Sequence, residues 1–515
     1  MDGDPRARPS LLLPPGVEAP QEGSDHESLR DLNLDRVIES VLAGLHEYGL
    51  ETHLRTPLPS VDAVRYRHAV LRDLQEPQLR GAVRTFAAGL HRVRDGLQRS
   101  ERARHPVQRR LVFLEAAQLY VGTVADLASA LGCTPHRSAG IAGLTEHVAA
   151  YAASPAFASL DRDAREVAER LAGATFRLQL RQSRVTVSRP VEDEGVHADE
   201  LAAVFGAFLG EGRSSLPWLP AERDDSDPLE IAIAERAAQL HPDAFAALER
   251  FCSAHRPLVS PDLDAAAREL RFYLGVLDWS DRLTAAGLPV CLPEVTDSDA
   301  GVRLDDAYDA ALALAHAWDH RKVVPNDVEL EPAERVVVVT GPNQGGKTTF
   351  ARAVGQVLHL ASVGLPVPAR AARVPLVDRV VSNFARGEDL HDQRGALERD
   401  VVRCATVLGR ATPRSVVVLN EVFTSTTVQD ALLLSRRVLD RVLGLNCLCV
   451  WVTFLDELAG QGPAVVSYVS QVDPDDPTIR TFEVTRCPSG GPTYAELLAR
   501  AHGLDADAIL RRLAR

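Results

Sequence analysis

Lysine is nearly missing from this sequence. Of its 57 basic residues only Lys322 and Lys347 are lysines, and the rest are arginines. A compact ammonium and a planar guanidinium fork are not interchangeable, so each retained lysine marks a slot worth reading. A surplus of positive charge is missing too. The 57 basic residues face 71 acidic ones, a net −14, which excludes a uniformly basic nucleic-acid coat but not a local basic face. No apolar run reaches the ~18 residues of a membrane span, so no membrane partner is expected. The Asp-, Arg- and Pro-rich start lacks the basic-then-apolar order of a signal peptide. The seven cysteines are scattered and include no Cys-x-x-Cys, a pattern that suits a reducing cytoplasm. Cys447 and Cys449 read as small core residues on one face of a strand. No fixed-period repeat is present.

What remains is an ordinary globular composition, 45% apolar and 25% charged over 515 residues. That length allows about three domains at roughly 100–200 residues each. Residues 1–27, rich in Pro, Gly and acidic groups, read as a flexible tail with a short strand at 11–13. Residues 28–322 read as a helical core. Leu34, Val37, Ile38, Val41 and Leu42 have the i, i+3, i+4, i+7 spacing of a helix face. Further helices are expected at 156–171, 198–210, 229–255, 261–286 and 304–320. Residues 176–189 alternate around Gln182-Ser183 and predict a small hairpin. The acidic Glu192–Glu194 reads as a solvated turn.

Between Arg65 and Arg110 stand twelve arginines against Asp73, Glu76, Asp95 and Glu101, a local +8. Two readings stay open for them. They form a solvated face with carboxylate partners elsewhere, or a face that contacts phosphate or docks a domain.

The character changes near Val323. Val336–Thr340 is a continuous β-branched run, as expected of a strand covered on both faces. Similar runs lie at 416–419 and 448–453, with weaker ones near 376–382, 465–471 and 479–484. Helical stretches separate most of them, which predicts an α/β region with a mostly parallel sheet over 323–515.

Directly after the first of these runs, Gly341-Pro342-Asn343-Gln344-Gly345-Gly346-Lys347-Thr348 fulfils G-x-x-x-x-G-K-[ST]. A helical pattern follows it. Glycines there let backbone N–H groups wrap phosphate oxygens, and the helix start adds a favourable dipole. Lys347, one of the two lysines, would reach the β- and γ-phosphates. The Thr348 hydroxyl would ligate Mg²⁺. The run at 416–419 ends in Asn420-Glu421, a Walker B pattern with Asn in place of the first Asp. Glu421 is the candidate catalytic carboxylate that orients a water. Asn420 is the second candidate metal residue and brings no charge.

In order and spacing these segments resemble the MutS family of DNA mismatch repair ATPases, within the ABC-type ATPase class. VVVVTGPNQGGKTTF at 336–350 resembles that family's TGPNMGGKST. PVPA at 366–369 resembles its VPA turn, and EDL at 388–390 its acidic-acidic-Leu segment. NEVFTSTTVQDA at 420–431 stands in the place of DEIGRGTSTYDG, and WVTFLDEL at 451–458 in that of FATHYFEL. TYAELLARAHGLDADAILRRL at 493–513 resembles the closing helix-turn-helix. LRDLNLDRVIESVL at 29–42 and VRYRHAVLRDL at 64–74 resemble the start of the family's helical levers.

The resemblance implies a helical lever domain followed by a P-loop ABC-type ATPase domain. It implies ATP held over Gly341–Thr349 with Asn326 nearby, Mg²⁺ at Thr348 and Asn420, and a homodimer through the ATPase domains. It also implies DNA gripped by backbone and shape. Several departures predict a weak ATPase. Gly395 replaces the serine offered across the dimer, Phe454 the switch histidine, Asn420 the Walker B Asp, and Val323 an adenine-stacking aromatic. No segment ahead of the levers matches the mismatch-reading domain with its Phe-x-Glu wedge. Two further readings remain: a nucleotide-gated dimeric scaffold that clamps a protein without DNA, and an ABC-type ATPase serving another chromosome-structuring process.

Overall fold

The computed structural model describes residues 10–17, 26–181, 184–189, 228–297, 301–316, 322–384, 395–474, 476 and 478–487. Helices and mixed sheets divide into two compact units. One comprises residues 1–11 and 73–271, the other 12–72 and 272–515.

The first unit is built on the helices Pro77–Arg102 and Pro106–Cys133. Proline opens both, and also opens Pro155–Ala172, Pro228–Leu240, Pro242–Ala254 and Pro261–Ala285. At the first helical position its missing N–H costs no hydrogen bond and its φ is already helical. Ser154 caps the helix Pro155–Ala172 and Ser138 caps Ala139–Ala152, accepting from Phe157 N and Ile141 N, each at 3.2 Å. Gly89 lets the two long helices approach, because a Cβ there would lie 2.6 Å from the Thr123 side chain. By length and composition Pro106–Cys133 is the one described helix that could cross a membrane, yet most of its apolar stretch is buried in protein. Strands β1 (Arg177–Arg181) and β2 (Arg184–Ser188) pair antiparallel, with Arg177 opposite Ser188. The turn at 182–183, the acidic 192–194 and the helix expected at 198–210 lie outside the described residues.

Among the described residues the second unit holds ten strands. In chain order they are β3 (Glu294–Thr296), β4 (Val302–Ala307), β5 (Asn326–Leu330), β6 (Val336–Thr340), β7 (Ala371–Pro375), β8 (Val380–Phe384), β9 (Val416–Asn420), β10 (Leu448–Val452), β11 (Val465–Val472) and β12 (Arg480–Arg486). They form a four-stranded sheet, β3-β7-β4-β5, and a six-stranded sheet, β12-β11-β6-β10-β9-β8. In the larger sheet the five strands from β11 to β8 run parallel, and β12 closes one edge antiparallel. Every residue of β6 and β9 is buried. Each fully buried valine there contributes about 1.5–3 kcal/mol.

Two expectations fail. Residues 304–320 were expected to be helical, but Val302–Ala307 is a strand; Ala310–His316 is helical, and 317–320 lie outside the described residues. Val302, Leu304 and Ala307 are buried while Arg303 is exposed, and β4 is paired on both sides by β5 and β7. Sheet pairing overrides a weak helical propensity. The strand expected at 11–13 is an irregular buried segment. Leu11 N donates to Glu269 Oε2 at 2.8 Å rather than to a neighbouring strand.

The helix Lys347–Ser362 packs against β8, β9 and β10. Its far half is fastened by polar contacts within the same unit. Gln356 Nε2 donates to Leu32 O and to Asp309 Oδ1, both at 2.8 Å. His359 Nε2 lies 2.9 Å from Leu54 O. Arg67, fully buried, donates to Val363 O at 2.7 Å and Leu12 O at 2.9 Å. A guanidinium at a helix C-terminus neutralises its exposed carbonyls.

Candidate functional site

The glycine loop leaves β6 at the centre of the larger sheet and ends in the helix Lys347–Ser362. Gly341 (φ 119) and Gly346 (φ 92) hold left-handed conformations, and so does Gln344 (φ 61). Gly341 and Gly345 lie so close to Ser470 that a Cβ would come within 3.0 Å and 2.3 Å of it. Ser470 Oγ donates to Gly345 O at 2.5 Å and ties the loop to β11. Lys347 is buried. Its Nζ donates to Gly341 O and Pro342 O at 2.9 Å and reaches Asn343 Oδ1 at 3.5 Å. The ammonium therefore lies inside the curl of the loop. Burial pushes it below its ordinary pKa, Glu421 draws it back up, and Arg480 adds to the depression. An anion in the loop would favour the charged ammonium and oppose that depression. Thr349 follows in the first helical turn.

β9 brings the second motif to the same place. Thr348 Oγ1 donates to Asn420 Oδ1 at 2.8 Å. Asn420 is buried and Glu421 half-buried. Beyond Asn420 the chain turns through Glu421 (φ 51) and Phe423 (φ 63). Glu421 N donates to Val452 O at 2.9 Å. Thr348 and Asn420 offer two neutral oxygen ligands, the hard donor type Mg²⁺ takes. Among the described residues no cluster of three or more His, Cys, Asp or Glu exists that could hold a metal by itself. Such an ion would therefore depend on phosphate oxygens for charge, as is usual for Mg²⁺.

Asn326 opens β5 and is occupied with backbone. Its Oδ1 accepts from Val484 N at 2.6 Å, and its Nδ2 donates to Val324 O and Phe482 O at 3.3 Å. It thereby fixes β12 beside the loop. Phe482, at φ 61 and 48% exposed, packs on Gly346. Arg480 Nε donates to Asn343 O at 3.3 Å. Sequence reasoning missed Ser470, Arg480 and Phe482, because they come from β11 and β12, more than 120 residues on, and no local motif marks them.

Of the substituted positions, Gly395 precedes the helix Ala396–Arg410 in extended conformation and offers no side-chain cap. Phe454 is 48% exposed after β10, and Val323 is half-buried ahead of β5. EDL at 388–390 and the closing 493–513 segment lie outside the described residues.

The arginine-rich stretch divides. Arg65 pairs with Asp62 and Arg110 with Glu249, at 3.2 Å and 2.5 Å, and Arg94 pairs with Asp264. Arg67 is buried against carbonyls. Arg72, Arg92, Arg102 and Arg104 are exposed.

Residues 337–479 match the family model of MutS domain V. The chain is 29% identical over 282 residues to the DNA mismatch repair protein MutS of Granulibacter bethesdensis, covering 54% of this chain and 30% of that protein. It is 38% identical over 138 residues to the DNA mismatch repair protein MutS of Zymomonas mobilis, covering 27% of this chain and 16% of that one. With the protein of the same name from Erythrobacter litoralis the figures are 37% over 148 residues, 28% and 17%. The chain thus spans less than a third of the length of these relatives.

Proposed function

With residues 337–479 assigned to MutS domain V, we propose that this is a MutS-like protein that binds ATP with Mg²⁺, hydrolyses it slowly and grips DNA as a homodimer. The observation that carries the reading is the 2.8 Å hydrogen bond from Thr348 to Asn420. It joins the two motifs that a P-loop ATPase needs side by side. In this reading Gly341–Thr349 wraps the phosphates with backbone N–H groups, and Lys347 turns from the loop carbonyls to phosphate oxygens. Mg²⁺, held by Thr348 and Asn420, supplies neutralisation of phosphate charge when bound. Glu421 orients the attacking water and accepts its proton. Asn420 brings no charge and Phe454 no hydrogen bond, which keeps turnover slow. Val401, Val402, Val428 and Leu433 are exposed apolar residues on two helices of this unit, a surface suited to a second copy. Exposed arginines such as Arg92 and Arg102 are available for phosphate contact. Function belongs to DNA repair or recombination control in the cytoplasm.

One observation favours a second reading. Arg65, Arg94 and Arg110 are committed to carboxylates, as in a nucleotide-gated scaffold that binds a protein without DNA.

Thermal melting with ATP and Mg²⁺, phosphate release and a gel-shift panel test these readings together. Saturating ATP at 100 times its Kd is expected to stabilise wild type by about 2.7 kcal/mol. Lys347→Ala should lose that gain, whereas Glu421→Gln should keep it and lose phosphate release. Homoduplex, mismatch and branched DNA should bind with little preference for the mismatch, and affinity should fall with salt at a slope of roughly −0.9 per phosphate neutralised. An ATP-induced shift that survives Lys347→Ala removes the P-loop assignment. No DNA binding at low salt puts the scaffold first.

A further inference from the structure

We infer that Asp400 is a positioning residue for Glu421: it holds the left-handed turn that aims the carboxylate. The inference rests on the reading of Glu421 as the water-orienting group. The turn after β9 places two residues with side chains, Glu421 and Phe423, at φ 51 and 63. A Cβ makes this conformation unfavourable. Two such residues within three positions persist only where the surroundings over-determine them.

Three contacts fasten the turn. Glu421 N donates to Val452 O at 2.9 Å, completing the last β9–β10 pair, Asn420 with Val452. The Phe423 ring, 1% exposed, is buried in the core cluster with Trp451 and Leu439, a contact without directional preference. The third is directional. Phe423 N donates to Asp400 Oδ2 at 3.3 Å, across 23 residues of sequence. Asp400 is itself buried, on the helix Ala396–Arg410, and its Oδ1 accepts from Arg403 Nη2 at 2.8 Å. The carboxylate is thus locked to its own helix at one oxygen and to the turn at the other. The 2.8 Å bond from Arg403 is of the short, charge-assisted kind, and it holds the carboxylate in place for the longer bond from Phe423 N.

Removing the acceptor leaves a buried backbone N–H unpaired in an unfavourable conformation. The turn then has reason to relax, and Glu421, two residues back, moves with it. The contact does not touch the glycine loop, and Glu421 acts on Lys347 only through space, so nucleotide affinity should change far less than turnover.

The test measures ATP affinity and steady-state phosphate release of the full chain for Asp400→Ala, Asp400→Asn, Arg403→Ala, Glu421→Gln and the Asp400→Ala/Glu421→Gln double variant. Asp400→Ala is expected to lower kcat about tenfold or more while Kd for ATP stays within about twofold. Asp400→Asn keeps one acceptor oxygen for Phe423 N–H but turns its NH2 toward Arg403, so it should lose about as much as Arg403→Ala, roughly threefold, and clearly less than Asp400→Ala. Asp400→Ala should remove nothing further from Glu421→Gln, because the two act as one unit. Arg403→Ala keeps the acceptor but frees it to rotate, and should show the same split at about threefold. Parallel falls in kcat and affinity, an Asn variant as poor as the Ala variant, or a further loss on top of Glu421→Gln would each overturn the proposal. If Asp400→Ala does not fold, an unchanged kcat in Arg403→Ala overturns it instead. Failure of the ATPase reading has a different signature: no phosphate release by wild type above Lys347→Ala, which removes both.

Discussion

The loop after β6 and the turn after β9 both need left-handed backbone, and they obtain it by different means. After β6 the positions are Gly341, Gln344 and Gly346, two of them glycine. After β9 they are Glu421 and Phe423, where the resembled segment DEIGRG has a glycine at the second position. The first turn carries its conformation mostly in residue type, at no steric cost. The second depends on tertiary contacts: the Val452 carbonyl, the Asp400 carboxylate and a buried ring. In the proposed reading, the loop that would close on phosphate keeps its cradle locally encoded, while the carboxylate beside it answers to the core and to a neighbouring helix. That difference gives three ways to break or sharpen the contrast.

The largest effect is expected at Phe423. Truncating a fully buried phenylalanine to alanine destabilises by about 3–5 kcal/mol through lost burial and the cavity left behind. Glycine at the same position would ordinarily be worse than alanine. Here it relieves the left-handed conformation, and should recover about 1 kcal/mol relative to Phe423→Ala. Urea unfolding of both variants reads the difference. If Phe423→Gly is the less stable of the two, the turn is not strained and the contrast with the glycine loop collapses.

The same contrast explains what could be read from the sequence. Gly341 and Gly346 were legible because left-handed backbone favours glycine, and Lys347 and Thr348 because the motif sets them at a fixed spacing from those glycines. Asn420 and Glu421 were legible because a buried valine run must end somewhere polar. The Thr348–Asn420 contact follows once both strands are placed in one parallel sheet. Asp400, Ser470 and Phe482 were not legible. Each acts through a backbone atom far along the chain, and an Asp on a helix or a Phe on an edge strand has no local signature. Strand β4 was missed for a related reason: Val302-Arg303-Leu304 is too short a pattern to outweigh the helical residues after it until β5 and β7 flank it. The buried Leu11–Leu13 segment was read as a strand because burial without regular structure leaves the same apolar mark.

Acid should separate the two turns next. His359, on the helix that the glycine loop opens, is fully enclosed, and burial depresses its pKa from 6.5 to about 4. His68, in the same unit, is lowered to about 4 by burial and then by Arg72 and Arg67. Both are held neutral when folded. Their contribution is therefore whole above about pH 6.5, declines as pH falls, and is lost by about pH 4. Between pH 7.5 and 5 each should account for roughly 2 kcal/mol of lost stability. No histidine lies between residues 395 and 487, so the β9 turn has no such group of its own. His359→Gln should flatten the pH dependence of unfolding by about that amount. A variant that keeps the wild-type slope would show that the enclosure of His359 does not persist, and that the loop helix is not the acid-sensitive element.

The smallest effect is the most telling for the cradle. At Gly346 an added Cβ would meet nothing closer than Phe482 Cδ1 at 3.6 Å, an ordinary van der Waals distance. Alanine therefore fits the space and suffers only from its φ of 92. The expected destabilisation is about 1–2 kcal/mol, the conformational term alone. It should appear in urea unfolding without ATP, and again as a similar weakening of ATP binding if the left-handed residue has to be kept for the N–H groups to face the phosphates. Set beside Phe423, the pair becomes a reciprocal exchange: adding a Cβ at the first turn should cost about what removing one at the second recovers. If Gly346→Ala is neutral, the loop does not hold that conformation and its glycine is incidental. If it destabilises as much as Phe423→Ala, then the cradle too is held by tertiary contact, through Phe482 and β12, and the two turns are built alike.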